Sequence, residues 1–343
     1  MPAPLVAPYG ELASLGISKE ATFGSFVVPA VFHAIEDFTD SPMNQSIKRL
    51  GARNRRGQSL PIVDGFVGKY SFTPEPDPDT VAQLMAFAMG AQSTPTLKAP
   101  SSSCYTSTLK LGQIPSFSTE VYRVTDAVDY LGCKVNGMQL SFDKGKGLST
   151  KFDILFANMQ INASPTAPTY STKVPFAFTN PLNIMSAFGS IVGVAGGATV
   201  HSWSIDLKNN LKADYFSAGS GSRSVVDFPQ QQAIVTGKMQ LGFETDAAFK
   251  RFMGSASATT PQSSVPGVAF QLAIFTSDII DGPNSDNFGF TFTLANCFLE
   301  THTAPIKSGN IIMQDVTFTC AESAAGANDD LLVTTQGVAS AIF

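Results

Sequence analysis

Between residues 148 and 157 the chain alternates. Leu148, Phe152, Ile154 and Phe156 fall on one side, and Ser149, Lys151 and Asp153 on the other. A period of two is the mark of a strand with one face in a core and one in water. The same alternation returns at 315–320, where Val316, Phe318 and Cys320 oppose Asp315, Thr317 and Thr319. A helical period is read in two short segments. In the first, Asp77 is the expected cap, Pro78 takes the first turn, and Val81, Leu84, Met85 and Ala88 form one stripe ending at Gly90. In the second, Thr245 is the expected cap, Phe249, Phe252 and Met253 face inward, and Gly254 ends the helix. The pattern predicts a mainly β chain carrying two short helices.

The chain also repeats itself. "GKYSFTPEPDPDTVAQLMAFAMG" begins at Gly68 and "GKMQLGFETDAAFKRFMG" at Gly237. Each reads as Gly-Lys, an alternating strand, a capped helix, then Met-Gly. Downstream, "GLSTKFDILFA" begins at Gly147 and "GNIIMQDVTFT" at Gly309, an offset of 309 − 147 = 162. At that offset Asp153 meets Asp315, Ile154 meets Val316 and Phe156 meets Phe318. In each half the matching strand closes an antiparallel hairpin. Two matches in the same order predict tandem modules. We place an N-terminal arm at 1–21, a first module at 22–165, a Pro- and Thr-rich linker at 166–197, a second module at 198–322 and a C-terminal arm at 323–343.

Composition narrows the function. Only 14% of residues are charged, well below the usual quarter, while 43% are hydrophobic. Such a surface suits a chain that hides much of itself in an assembly. The net charge of −5 and pI near 5.2 argue against a protein built to grip a phosphate backbone. Cys104, Cys133, Cys297 and Cys320 are widely spaced with no CxxC pair, as expected of reduced, buried thiols. The opening MPAPLVAPYGELASLG has no basic n-region and reads as no signal peptide. The most apolar run, 184–200, is short and Gly-rich for a membrane span.

No constellation for catalysis stands out. His33, His201 and His302 lack partners at metal-ligand spacing, and no HExxH, GxSxG or Walker loop is present. The carboxylates of "EPDPD" (75–79) belong to a helix start. "GSGS" (219–222) reads as a hairpin tip. "DGPNSDNFG" (281–289) reads as a turn, because the terminal Glu of a calcium loop is missing. Trp203 reads as a strand core residue. We expect no enzyme, no cofactor and no metal.

At 15–38 the chain reads "LGISKEATFGSFVVPAVFHAIEDF". Gly16, Lys19, Glu20, Thr22, Phe23 and Gly24 make this similar to the opening of bacteriophage tail tube (major tail) proteins of the long-tailed type. The order that follows, strand, long polar loop, strand, helix and hairpin, resembles the tube fold over most of 15–320. The resemblance implies a mainly β protein of two tandem tube-like β-sandwich domains, each flanked by a short α-helix, with long hairpin loops. It implies a structural virion protein whose rings stack into a tail tube through which DNA is ejected. With two domains per chain, three copies would complete a pseudo-six-fold ring. The implied partners are the protein itself, the tape-measure, tail-terminator and tip proteins, and DNA passing without specific binding. Its implied place is the virion tail, assembled in the host cytoplasm. Another virion component, a capsid decoration or receptor-binding tail protein, is the competing reading; a sugar-binding sandwich is argued against by the single tryptophan.

Against that frame two sets of charges acquire roles. A loop in the first module carries Lys48, Arg49, Arg53, Arg55 and Arg56, and its counterpart in the second module carries only Arg223. We expect these to contact a neighbouring subunit or ring, ahead of a solvated loop or a DNA grip. Asp77, Asp79, Glu244 and Asp246 are candidate partners, since Arg-carboxylate pairs fix geometry. Asp153 and Asp315 fall on the polar faces of equivalent strands and are candidates to face the lumen and repel DNA.

Overall fold

The computed structural model describes residues 13–47, 62–123, 126–143, 146–162, 164–177, 200–217, 223–242, 246–255, 257–306, 308 and 311–337. The first half contains β1 (Ser14–Lys19), β2 (Val31–His33), β3 (Ile35–Ile47), β4 (Ile62–Pro74), α1 (Pro78–Met89), β5 (Gly90–Gln92), β6 (Thr96–Leu97), β7 (Tyr105–Leu111), β8 (Phe117–Tyr122), β9 (Ala127–Asp143), β10 (Gly147–Phe156) and β11 (Asn158–Asn162). The second contains β12 (Val200–Lys208), β13 (Ile234–Gly242), α2 (Ala247–Phe252), β14 (Val268–Asp281), β15 (Asp286–Thr303), β16 (Met313–Ala321) and β17 (Leu332–Gly337). All the ladders are antiparallel, as the alternating pattern requires, and the protein is mainly β.

One ladder runs β3–β4–β10–β9–β12–β13–β16–β15. Its inner face is built from the alternating apolar positions. Phe72, Phe152, Met138 and Leu207 lie on one row of it; all four are buried. A second sheet, β2–β1–β8–β9–β11, borrows the first part of β9. By serving both sheets in turn, β9 encloses a core to which the two halves both contribute. Beyond the hairpins, β17 pairs with β15 on one side and β7 on the other. Of the segments assigned to arms, 14–19 and 332–337 are therefore paired strands.

α1 follows its sequence signals. Asp77 Oδ1 accepts from the N–H groups of Asp79 and Thr80, both at 3.0 Å, and Gly90 ends the helix in the left-handed region at φ 84°. Val81, Leu84, Met85 and Ala88 are buried as the stripe predicts, and Phe87 packs on Phe117 at 4.7 Å between centroids. α2 departs from expectation. Thr245 lies outside the described residues, and the N-cap is Asp246, whose side chain makes no cap bond but pairs with Lys250 at 2.8 Å. Phe249 is 43% exposed rather than inward. The helix has only six residues and lies over β15 close to where that strand ends, so part of its apolar stripe overhangs the sheet.

The linker begins as an anchored strap. Thr166 N–H and Oγ1 both donate to Glu120, Val174 N–H donates to Asp278 at 2.7 Å, and Phe176 packs on Phe290 at 5.2 Å. Its remainder, 178–197, lies outside the described residues.

Candidate assembly surface

The seam between the halves is the first element of the surface. β12 aligns beside the second part of β9, from Gly137 opposite Lys208 to Asp143 opposite Ser202. Leu140 and Ile205 meet on the core side, both fully buried, and Phe142 stacks on Trp203 at 5.9 Å with ring planes 9° apart. Fully burying such a side chain contributes about 1.5–3 kcal/mol. Next to the seam β9 carries a bulge, because Gly137 faces Asp153 while Val135 faces Ile154. The bulged Asn136 is used by the other half. Its carbonyl accepts from Asn209 N–H at 2.8 Å and its side chain from Leu211 N–H at 2.9 Å. The buried Asn209 amide donates in turn to the carbonyls of Ala88 and Val135, both at 2.9 Å, so the end of α1 is held by the second half.

The N-terminal motif acts at this junction too. Glu20, 5% exposed, accepts from Gly24 N–H (2.9 Å), Ser118 Oγ (2.8 Å) and Gly132 N–H (2.8 Å). Gly24 and Gly132 have φ of 76° and 63°, the region where glycine is at ease. A side chain on Gly132 would also meet the ring of Phe23 at 2.9 Å. Phe23 in turn sets its edge against Phe228 of the second half, at 5.9 Å and 75°. Each of these motif residues is thus accounted for by a turn that locks the first half and touches the second.

The outer face of the long ladder is polar over its middle, with apolar side chains among its outward positions at Met43, Leu155, Ile234 and Phe298. Lys69, Lys151, Lys208 and Lys238 share it with Asp143, Asp153, Asp206 and Asp315, and serines and threonines fill most of the remainder. Asp153 and Asp315 are both exposed and stand on this one face. Asp153 lies across from Gly137, and Asp315 accepts from Gln240 Nε2 at 3.0 Å. Lysine and aspartate are interspersed on it, so it carries no block of one sign of charge.

Of the basic candidates, Lys48, Arg49, Arg53, Arg55 and Arg56 lie outside the described residues. Arg223 lies against the first half: its guanidinium donates to Asn44 Oδ1 at 2.5 Å and its carbonyl accepts from Phe66 N–H at 2.7 Å. It sits beside the hairpin that leads into the basic loop. Among the proposed acidic partners, Asp77 is buried and committed to capping α1, Asp246 pairs with Lys250, and Asp79 accepts from Ser171 Oγ at 3.1 Å. Glu244 lies outside the described residues.

Three features gave no signal in the sequence. Cys297 and Cys320 face each other across β15 and β16 with sulfurs 3.0 Å apart, although 23 residues separate them. Contact with the second sulfur and burial both raise the Cys297 thiol pKa. Arg123, Asp40 and Tyr130 form a closed triad: the Arg123 guanidinium donates to Asp40 (2.9 Å) and to Tyr130 Oη (2.6 Å), and Tyr130 Oη–H donates to Asp40 (2.8 Å). Burial pushes the Asp40 carboxyl pKa up, but the bonds from Tyr130 and Arg123 outweigh it and hold the pKa below its usual value. His33, among the predicted surface or strand histidines, is 1% exposed and bonds Thr80 Oγ1 at 2.9 Å through Nδ1. No group of three or more metal-ligating side chains occurs among the described residues.

The described residues make a mainly β chain whose long sheet has ends that no described strand covers, at β3 and beyond Cys297 of β15. Its sequence matches the phage tail tube protein family over residues 10–320, and the chain belongs to that family. It is thus a structural component of a phage tail. No curated protein matches it individually.

Proposed function

We propose that the chain is a two-module tail tube subunit, three copies of which close head to tail into a ring, the rings stacking into the conduit for DNA. The observation that carries this reading is the long ladder. Gly68 lies opposite Phe156 and Asp153 opposite Ser71 in the first half; Gly237 lies opposite Phe318 and Asp315 opposite Gln240 in the second. Two ladders of the same alignment are joined side by side; among the described residues no strand covers the outer edge of β3 or the end of β15 beyond Cys297, where β14 stops, and such a pair forms a third of a closed cylinder. The open edges suit closure, since unpaired edge strands invite association. The polar face then lines the lumen, with Asp153 and Asp315 among its charges, and its mixture of lysine, aspartate and hydroxyl groups lets DNA slide. The loop with Lys48, Arg49, Arg53, Arg55 and Arg56, with Arg223 beside its base, makes contacts between rings. The tape-measure, terminator and tip proteins are its partners in the tail, and assembly takes place in the host cytoplasm. Negative-stain microscopy of the purified protein tests the reading, with native mass spectrometry to count chains. Hollow rings or tubes with three chains per ring are expected, and a chain that stays monomeric at every concentration sinks the proposal.

A further inference from the structure

The seam inside the chain has two partners, and their counterparts are the edge of β3 away from β4 and the end of β15 beyond Cys297, past the reach of β14; no described strand covers either. β3 stands to β4 as β12 stands to β13: Pro42 is opposite Gly68 and Ile205 opposite Gly237. β15 stands to β16 as β9 stands to β10: Thr303 is opposite Asp315 and Gly137 opposite Asp153. Within the chain the joint is made, with Leu140 opposite Ile205 and fully buried. Leu140 lies three residues beyond Gly137, and Ile306 lies three beyond Thr303. The equivalent of the buried Leu140 is therefore Ile306, which is 82% exposed. The equivalent of Ile205 is Pro42 on the open edge of β3. The overhanging Phe249 is at the same border, its ring 5.2 Å from that of His302, one residue before Thr303. Exposed apolar side chains next to an unfilled ladder mark a place another strand covers.

We infer that a second copy of this chain covers it: β3 of the neighbour extends the β15–β16 hairpin in the alignment of the internal seam, with Ile306 opposite Pro42 and Pro305 opposite Met43. The inference rests on the tube reading and goes beyond it by fixing which strands meet and in what register. The geometry is strand addition, in which backbone bonds hold and alternate side chains select. Ile306 enters the core side, as Leu140 does, and Met43 takes the outward position held by Asp206 in the internal seam. A proline on each joining edge makes both poor templates for indiscriminate pairing, leaving side-chain fit to choose the partner.

The test uses the full chain. Its native cysteines are buried, so Met43→Cys with Pro305→Cys provides the reactive pair, and a short bismaleimide is added after assembly. Denaturing gels are expected to show linked chains, with trimers as the limiting product. The control pair Met43→Cys with Thr301→Cys, on the same face but out of register, is expected to link weakly. Ile306→Asp is expected to leave a folded monomer, with unchanged circular dichroism and melting, that makes no rings. Hydrogen exchange on the unmodified chain gives an independent reading, since amides of 39–45 and 303–306 are expected to gain protection on assembly. Preferential linking through Thr301, rings from Ile306→Asp, or no gain in protection overturns the alignment even where the wild type forms rings. A wild type that forms no ring overturns this inference and the tube reading together.

Discussion

The tip of the Phe156 ring lies over Gly68, so that a Cβ built on the glycine would come within 2.0 Å of Phe156 Cζ. Phe318 does the same over Gly237, at 2.2 Å. In each half the glycine leaves the pocket that the phenylalanine from the neighbouring strand fills. Gly68→Ala and Gly237→Ala are thus expected to force the rings off their positions and destabilise by about 1–3 kcal/mol each, the usual cost of overpacking. Thermal or denaturant melts of the two variants check this; a neutral result at both sites would show that the rings can move freely.

Glu20→Ala removes the acceptor for Gly24, Ser118 and Gly132. A buried donor left without a partner costs about 1–3 kcal/mol, and the Gly132 N–H is buried. The denaturation midpoint is expected to fall with the slope unchanged. An unaltered midpoint would mean that water replaces the carboxylate.

Acid is expected to weaken the fold through His33. Burial lowers its pKa from 6.5 to about 4, against the opposing pull of Asp77. The unfolded chain then takes up a proton between those values while the folded chain does not, so stability falls as pH drops from 6.5 toward 4. The loss is of the order of 3–4 kcal/mol at most, from about 1.4 kcal/mol per pH unit. His33→Gln is expected to flatten this part of the stability–pH curve. A curve of unchanged slope would assign the acid sensitivity to other groups.

Arg55→Glu combined with Arg56→Glu is expected to stop rings from stacking while leaving the fold and the single ring intact. Electron microscopy and sedimentation distinguish the two levels of assembly. Tubes of normal length from this variant would remove the basic loop from the ring-to-ring contact.

Much of the fold was legible because its repeated parts are local. The Gly-Lys stretches stand out since glycine is needed under each phenylalanine ring, and the alternation of 148–157 and 315–320 fixes which face is buried. Asp77, Pro78 and Gly90 likewise act within one helix. The pairing of distant strands was not legible. Alternation sets the face of a strand but names no partner, so the seam of β9 with β12, the placement of β17 beside β7, and the meeting of Cys297 with Cys320 had no sequence signature. Asn209 is similar, an unremarkable Asn-Asn pair until Asn136 bulges toward it. For the candidate site, the outward direction of Asp153 and Asp315 followed from the period of two, whereas the lysines balancing them belong to strands brought alongside only by folding.

Because β9 and β12 belong to one polypeptide, their joint forms by an intramolecular encounter and no dilution can dissolve it. A joint between separate chains obeys mass action and requires a sufficient concentration of free protein. In the three-chain ring proposed above, a threshold for association therefore resides at the outer borders of the molecule, and the subunit would reach it with half of the cylinder's joints already closed.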